Sequence, residues 1–307
     1  MAEGGPSLSD RARAIARVAR DVPGNLPVPN PFADRSLRGS VEGRVVLVTG
    51  ASSGIGEALS LRLARAGATV LLVARTEDKL EAVRASTEDL DGTTHVHPCD
   101  LADAGDIGRM AAEVLERHGR VDILVNNAGR SIRRSIANSY DRLHDFERTI
   151  ELNYLGPVAL ILKVLPGMRE RGYGQIVNVS TMGVQVNTPR FSAYLASKAA
   201  LDAFSRSIAS EIVDDGVSIS TVYMPLVRTP MIEPTGFYEN VPAISPDDAA
   251  TMIAKAIVNR PKKQSTRTGR IAEVAYGTAP KVQDAFVNAA YKLTPGSHGR
   301  HRDGDQG

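Results

Sequence analysis

The chain has 307 residues, 42% hydrophobic and 23% charged, with 37 Lys and Arg against 35 Asp and Glu. That is globular usage with room for one large α/β domain, and a net charge of +2 is too small to coat nucleic acid. The single cysteine, Cys99, excludes an internal disulfide and fits a cytoplasmic location, while the lack of Trp disfavours a base-stacking surface.

Residues 1–40 read as an extension. Arg11, Arg13, Arg17 and Arg20 alternate with Leu8, Ala12, Ile15 and Val18, a weak helical pattern between Ser7 and Asp21. Pro23, Pro27, Pro29 and Pro31 then break regular structure. The apolar side of that helix is mostly alanine, so packing on the domain or on a second subunit is preferred to a membrane-surface anchor. Peripheral membrane contact stays open, but no apolar run approaches the roughly 20 residues of a bilayer span. A secretory signal is not expected. Residues 41–293 read as one domain and residues 294–307 as a frayed tail.

Within the domain, short β-branched runs alternate with helical stretches. Strands are expected at Arg44–Thr49, Thr69–Ala74, Thr94–Cys99, Val121–Asn126, Gln175–Ser180, Ser218–Tyr223 and, seventh, near Arg270–Val274. Helices are expected at Ile55–Ala66, Asp78–Leu90, Asp106–His118, Leu143–Arg171 with an interruption at Gly156-Pro157, Ala193–Asp214, and Asp247–Val258 behind a Ser245-Pro246 cap. Strands apolar on both faces suit a covered parallel sheet. The fold class is therefore α/β: a Rossmann-type doubly wound parallel sheet of about seven strands with helices on both faces.

The first strand runs into Thr49-Gly50-Ala51-Ser52-Ser53-Gly54-Ile55-Gly56. Glycines there allow a tight turn, bring backbone N–H groups to a pyrophosphate and aim a helix N-terminus at it. Gly50, Ser52, Ser53, Gly54, Ile55 and Gly56 are thus candidates for dinucleotide binding. Past the second strand stands Arg75 with no acid before Glu77, which favours pairing with the 2′-phosphate of NADP(H) over a merely solvated loop charge. Asp100 and Leu101 follow the third strand, beside the expected adenine, and Asn127, Ala128 and Gly129 follow the fourth.

Tyr194 and Lys198, four apart on a predicted helix, share one face. A nearby ammonium favours the phenolate, so the tyrosine can exchange a proton near neutral pH. Ser180 and Thr181 supply hydroxyls at the end of the fifth strand.

With these strings, the stretch from about Val41 to Val274 resembles the short-chain dehydrogenase/reductase family. The matching motifs are Thr49–Gly56, Asn126–Gly129, Asn153, the Ser/Thr after strand five, and Tyr194 with Lys198. The resemblance implies hydride transfer between NADP(H) and a carbonyl or alcohol. Tyr194 would be the proton donor and Lys198 the holder of the nicotinamide ribose. Asn153 would anchor a water, and Thr181 or Ser180 would polarise the carbonyl. It further implies a homodimer or homotetramer. Where the family commonly has Pro-Gly, this chain has Pro225-Leu226, so Leu226 would narrow the nicotinamide pocket; Pro225, Val227 and Thr229 remain as cofactor contacts.

Asn126–Ile136, Met224–Met231 and Pro189–Tyr194 are similar to the bacterial fatty acyl-CoA reductase subgroup. That implies a lipid-derived carbonyl substrate. Arg130, Arg133 and Arg134 would meet coenzyme A phosphates, and Phe237, Tyr238 and Val241 of the segment Ile232–Ile244 would line an acyl tunnel. A thiohemiacetal formed from the thioester would collapse to aldehyde and thiol. A ketone or 3-oxoacyl-thioester reductase, including a hydroxysteroid-type alcohol dehydrogenase, is the alternative, and a non-catalytic NADP-binding scaffold the least favoured reading. His95, His97 and Cys99 alternate along one predicted strand, but no fourth metal ligand lies near in sequence, so no metal is expected.

Overall fold

The structure, a computed structural model, describes residues 33–232 and 241–293. The Arg-rich segment of residues 7–21, the tail 294–307, and both Phe237 and Tyr238 lie outside the described residues. The chain begins α1 (Ala33–Val41), β1 (Val45–Thr49), α2 (Gly54–Arg65), β2 (Thr69–Ala74), α3 (Glu77–Ala85), β3 (Thr93–Pro98), α4 (Ala104–His118) and β4 (Ile123–Asn126). It continues α5 (Leu143–Ile150), a π turn (Glu151–Leu155), α6 (Gly156–Glu170), β5 (Gly174–Thr181), the one-turn α7 (Gly183–Val186) and α8 (Ser192–Ala209). It closes with β6 (Val217–Met224), α9 (Pro246–Asn259), β7 (Lys263–Gln264), α10 (Arg267–Thr278) and α11 (Pro280–Leu293).

The strands form one parallel sheet in the order β3-β2-β1-β4-β5-β6-β7. Successive side chains on a strand point to opposite faces, so each strand feeds two cores. Val46, Val48, Val70, Leu72, Val125 and Val177 pack under α1, α2, α3 and α9. Leu47, Leu71, Val73, Leu124, Ile176 and Ile219 pack under α4, α6 and α8. The strand order reverses between β1 and β4, which opens a crevice at the carboxyl edge.

Three expectations are corrected. Arg270–Val274 is helix, not strand: Thr266 caps α10 by accepting from Gly269 N at 3.1 Å, and Ile271 and Val274 are spaced three apart, a helical interval. The seventh strand is the two-residue β7, paired through Thr221 and Val222. The Gly156-Pro157 pair does not interrupt its helix. Pro157 sits in the first turn of α6, where a missing N–H is tolerated, and the π turn carries the run unbroken from Leu143 to Glu170. That run of 28 residues is long and apolar enough to cross a membrane. It nevertheless packs Leu160, Ile161, Val164 and Met168 into the core, the behaviour of a core helix. Finally, the packed unit begins before residue 41, because Leu37 of α1 is only 1% exposed. The Ser245 cap is present as a full capping box with Asp248.

Candidate active site

The turn after β1 is locked by a hydroxyl. Thr49 Oγ1 donates to Val125 O at 3.2 Å and accepts from the N–H groups of Asn127 and Ala128, each at 3.0 Å. Asn127 Nδ2 returns a bond to Thr49 O at 2.9 Å. The glycine turn and the Asn126–Gly129 segment thus form one rigid lip across the switch point. A Cβ on Gly56 would sit 2.1 Å from Gly50 O, so only glycine lets α2 seat against the turn.

Deeper in, a polar chain crosses the sheet. Asn126 Nδ2 donates to Asn178 Oδ1 at 2.8 Å, and Asn178 Nδ2 to Ser205 Oγ on α8 at 2.7 Å. This pins α8, which carries Tyr194 and Lys198, to β4 and β5. The Lys198 ammonium is buried and donates to Val179 O at 2.9 Å. Burial, which disfavours its charge, brings its pKa down to about 8.

Asn153 lies in the π turn and is fully buried. Its Oδ1 accepts from Arg130 N at 2.8 Å, and its Nδ2 donates to Arg130 O and to Ser197 Oγ, each at 2.9 Å. The carboxamide therefore clamps the loop after β4 onto α8. The packed Cβ position of Gly129 lies 3.2 Å from Asn153 Oδ1 and 3.3 Å from Lys198 Nζ, a cradle that any side chain would fill.

These groups border a cavity of about 460 Å³. Gly50, Ser52, Ser53, Gly54, Ile55, Asn127, Ala128, Gly129, Ser180, Thr181, Tyr194, Lys198, Pro225, Leu226, Val227 and Thr229 all line it. Strand parity separates the two hydroxyls. Ser180 Oγ is sealed from solvent without a hydrogen-bond partner among the described residues, whereas Thr181 is partly exposed and its Oγ1 accepts from Gly183 N at 3.1 Å.

Arg75, Asp100 and Leu101 stand apart from this cavity, at the ends of β2 and β3 on the same carboxyl edge. Arg75 is exposed; the Asp100 carboxylate accepts from Ala102 N at 3.0 Å, and Leu101 is buried. Of the three arginines after β4, Arg130 and Arg133 are half-buried. Arg134 has a partner that the sequence did not disclose: its Nε donates to Asp145 Oδ2 at 3.0 Å, and its N–H to Arg190 O at 2.7 Å. Arg142 and Arg148 also hold Asp145. Burial pushes that carboxyl up, but the hydrogen bonds from Arg142 and Arg148 outweigh it and leave the pKa at about 2.

Val241, named from the sequence as a tunnel residue, is among the lining residues, but sequence reasoning missed most of the apolar wall: Met182, Leu195, Met224 and Met231 line the cavity too. They come from four separate segments, so no local pattern marks them. Among the described residues no group of His, Cys, Asp and Glu could hold a metal ion. His95 and His97 instead pack their rings against His118, with centroids 4.7 Å and 5.7 Å away. Cys99 is buried, and burial pushes its thiol up to about 12.

A covered parallel sheet, a glycine turn at its switch point and a Tyr-Lys pair beside a strand-end hydroxyl define a dinucleotide-dependent oxidoreductase fold and site. The family model for short chain dehydrogenases matches residues 44–237, and the chain belongs to that family. It is 51% identical over 268 residues to a fatty acyl-CoA reductase of Acinetobacter baylyi, covering 87% of this chain and 91% of that one. It is 45% identical over 248 residues to a fatty acyl-CoA reductase of Mycobacterium tuberculosis, covering 80% and 83%. A metagenomic short-chain oxidoreductase solved in complex with NADP superposes with a TM-score of 0.62 at 33% identity, over 71% of this chain and 92% of that one. The likeness to the fatty acyl-CoA reductase subgroup therefore extends along most of the chain.

Proposed function

We propose that the protein is an NADPH-dependent reductase of lipid-derived carbonyls, with a fatty acyl-CoA or the matching long-chain aldehyde as substrate. One observation carries this reading: Tyr194, Thr181 and Lys198 meet at a single cavity whose wall includes ten Met, Leu, Val and Ile side chains. Apolar walls with a few convergent polar groups suit an acyl chain ending in a carbonyl. The names of the two relatives above support the same substrate class.

The residues fit the cofactor. Gly50, Ser52, Ser53, Gly54 and Ile55 of the turn line the cavity together with Asn127, Ala128, Gly129 and Lys198, the backbone and cation a pyrophosphate and a ribose require. Residues Gly50–Gly56, Asn127–Gly129, Lys198, Pro225, Val227 and Thr229 would hold it, with Arg75 at the 2′-phosphate and Asp100 and Leu101 at the adenine end. When bound, NADPH supplies the hydride for the carbonyl carbon. Tyr194 gives its phenolic proton to the carbonyl oxygen, and Thr181 Oγ1 donates a hydrogen bond to that oxygen. Lys198 supplies positive charge that favours the tyrosine's phenolate.

The test is NADPH oxidation measured against long-chain acyl-CoAs, long-chain aldehydes, 3-oxoacyl thioesters and steroid ketones. Turnover of the first two classes is the expected result. Turnover confined to the last two makes the protein a ketone or 3-oxoacyl reductase, and none at all leaves only a binding scaffold.

A further inference from the structure

The last two helices carry an apolar surface that the fold leaves uncovered. Ile271 and Val274 on α10 are 69% and 65% exposed, and Val282 and Phe286 on α11 are each 70% exposed. Helical spacing places Val282, Phe286 and Ala290 on one stripe of α11. The neighbouring stripe, Gln283, Val287 and Tyr291, is the partly buried one. Gln283 Nε2 reaches Val186 O at 3.4 Å, and Tyr291 lies under the Arg190 guanidinium at 4.3 Å. The helix is thus seated by one apolar-to-polar stripe and presents a second to solvent.

Charge says what this face meets. Residues 260–293 hold seven Lys and Arg and two acidic residues, in a chain whose net charge is only +2; Arg267, Arg270, Lys281 and Lys292 stand on α10 and α11 themselves, and the other three directly before them. Positive charge is therefore concentrated here while the remainder is net negative. One of the seven, Lys263, is paired with Glu273 at 2.5 Å. Two copies docking through this surface would oppose like charges. An anionic lipid surface offers both counter-charge and an apolar interior.

The hairpin also touches the site. Gln185 Nε2 donates to Glu273 at 3.0 Å and Gln185 Oε1 accepts from Ser265 Oγ at 2.7 Å, while Thr266 Oγ1 contacts the sulfur of Met182, a cavity-lining residue. We propose that α10 and α11 form a docking surface for anionic phospholipid bilayers, which sets the cavity mouth beside the membrane in which an acyl substrate dissolves. The role in substrate delivery rests on the reductase reading above; the docking itself does not.

The experiment is co-sedimentation of the full chain with vesicles of phosphatidylcholine alone or of phosphatidylcholine with phosphatidylglycerol, without cofactor or substrate. The expected result is binding to the anionic vesicles at least about tenfold stronger than to the neutral ones. The pairs Val282→Asp with Phe286→Asp, and Lys281→Glu with Lys292→Glu, should each weaken it about tenfold. All four positions are exposed, and both variants should keep the wild-type melting temperature and the wild-type turnover of a short, water-soluble aldehyde. Absence of vesicle binding, equal binding to both vesicle types, or binding unchanged in both variants overturns the proposal. So does a dimer that the Val282/Phe286 pair dissociates without any vesicle binding, which would give the face to a second copy. Vesicle binding without reductase turnover removes the reductase reading and upholds the docking.

Discussion

Lys198 Nζ donates to the carbonyl oxygen of Val179 at 2.9 Å, which ties α8 to β5 beneath the cavity floor. Burial lowers this ammonium from its ordinary 10.5 to about 8, so the folded protein releases its proton before the unfolded chain does. Between pH 8 and 10.5 the unfolded chain binds more protons, and this group's contribution to stability rises with pH, by about 1.4 kcal/mol per unit. Below pH 8 the cost of burying the charge is fully present. Denaturant melts of cofactor-free wild type and Lys198→Met should diverge across that window, wild type gaining. The difference is the readout because burial also keeps the Tyr223 phenol protonated, which acts in the opposite sense above pH 10. Parallel curves would contradict a buried ammonium.

Thr181 and Ser180 are adjacent but face apart. Thr181→Ala should lower kcat by roughly a hundredfold while KM for NADPH holds, as loss of a hydrogen bond made mainly in the transition state requires. Ser180→Ala removes a sealed hydroxyl without a partner and should leave turnover within about threefold, with stability equal or higher. The reverse ranking would transfer the role to Ser180. Tyr194→Phe, measured alongside, should match or exceed the Thr181 loss.

Arg75→Asp should raise KM for NADPH by roughly ten- to a hundredfold, as loss of about 1.4–3 kcal/mol implies, and change KM for NADH little. The side chain is exposed at the end of β2, so its removal leaves the fold intact. Equal use of both cofactors by the wild type would end this assignment.

Acid should act first on β3. His97 is 1% exposed, and burial lowers its pKa to about 4, with Glu113 opposing and His118, Arg117 and His95 assisting. Its folded value lies below the ordinary 6.5, so stability is complete above pH 6.5 and falls between 6.5 and 4 as the unfolded chain takes the proton first. His97→Leu should flatten that part of the curve, which thermal melts at successive pH values would reveal. An unchanged slope would place the acid sensitivity elsewhere.

The reach of the sequence depended on whether neighbours in space were also neighbours in the chain. The Thr49–Gly56 turn, Asn127–Gly129 and the Tyr194–Lys198 pair are contiguous strings, so their placement at one edge could be read directly. β7 could not, because two polar residues, Lys263 and Gln264, carry no alternation. Ile271 and Val274 suggested a strand by type and were helical by spacing. Arg134 meets Asp145 across a loop with no period, which hid the ion cluster that restrains it. The choice between Ser180 and Thr181 turns on strand parity at the last pleat, invisible until β5 was in register with β6.

Gln185 is gripped from the far end of the chain, by Ser265 and Glu273, while the two cores beneath it are closed without α10 and α11. The enzyme is thus built in two tiers, a sheet that survives on its own packing and a clasp that keeps the loop after β5 in shape. Proteolytic clipping within the Lys262-Lys263 stretch would open the clasp first. A preparation so nicked would still melt as a folded protein while its turnover fades, so shelf life and melting temperature report on different parts of this molecule.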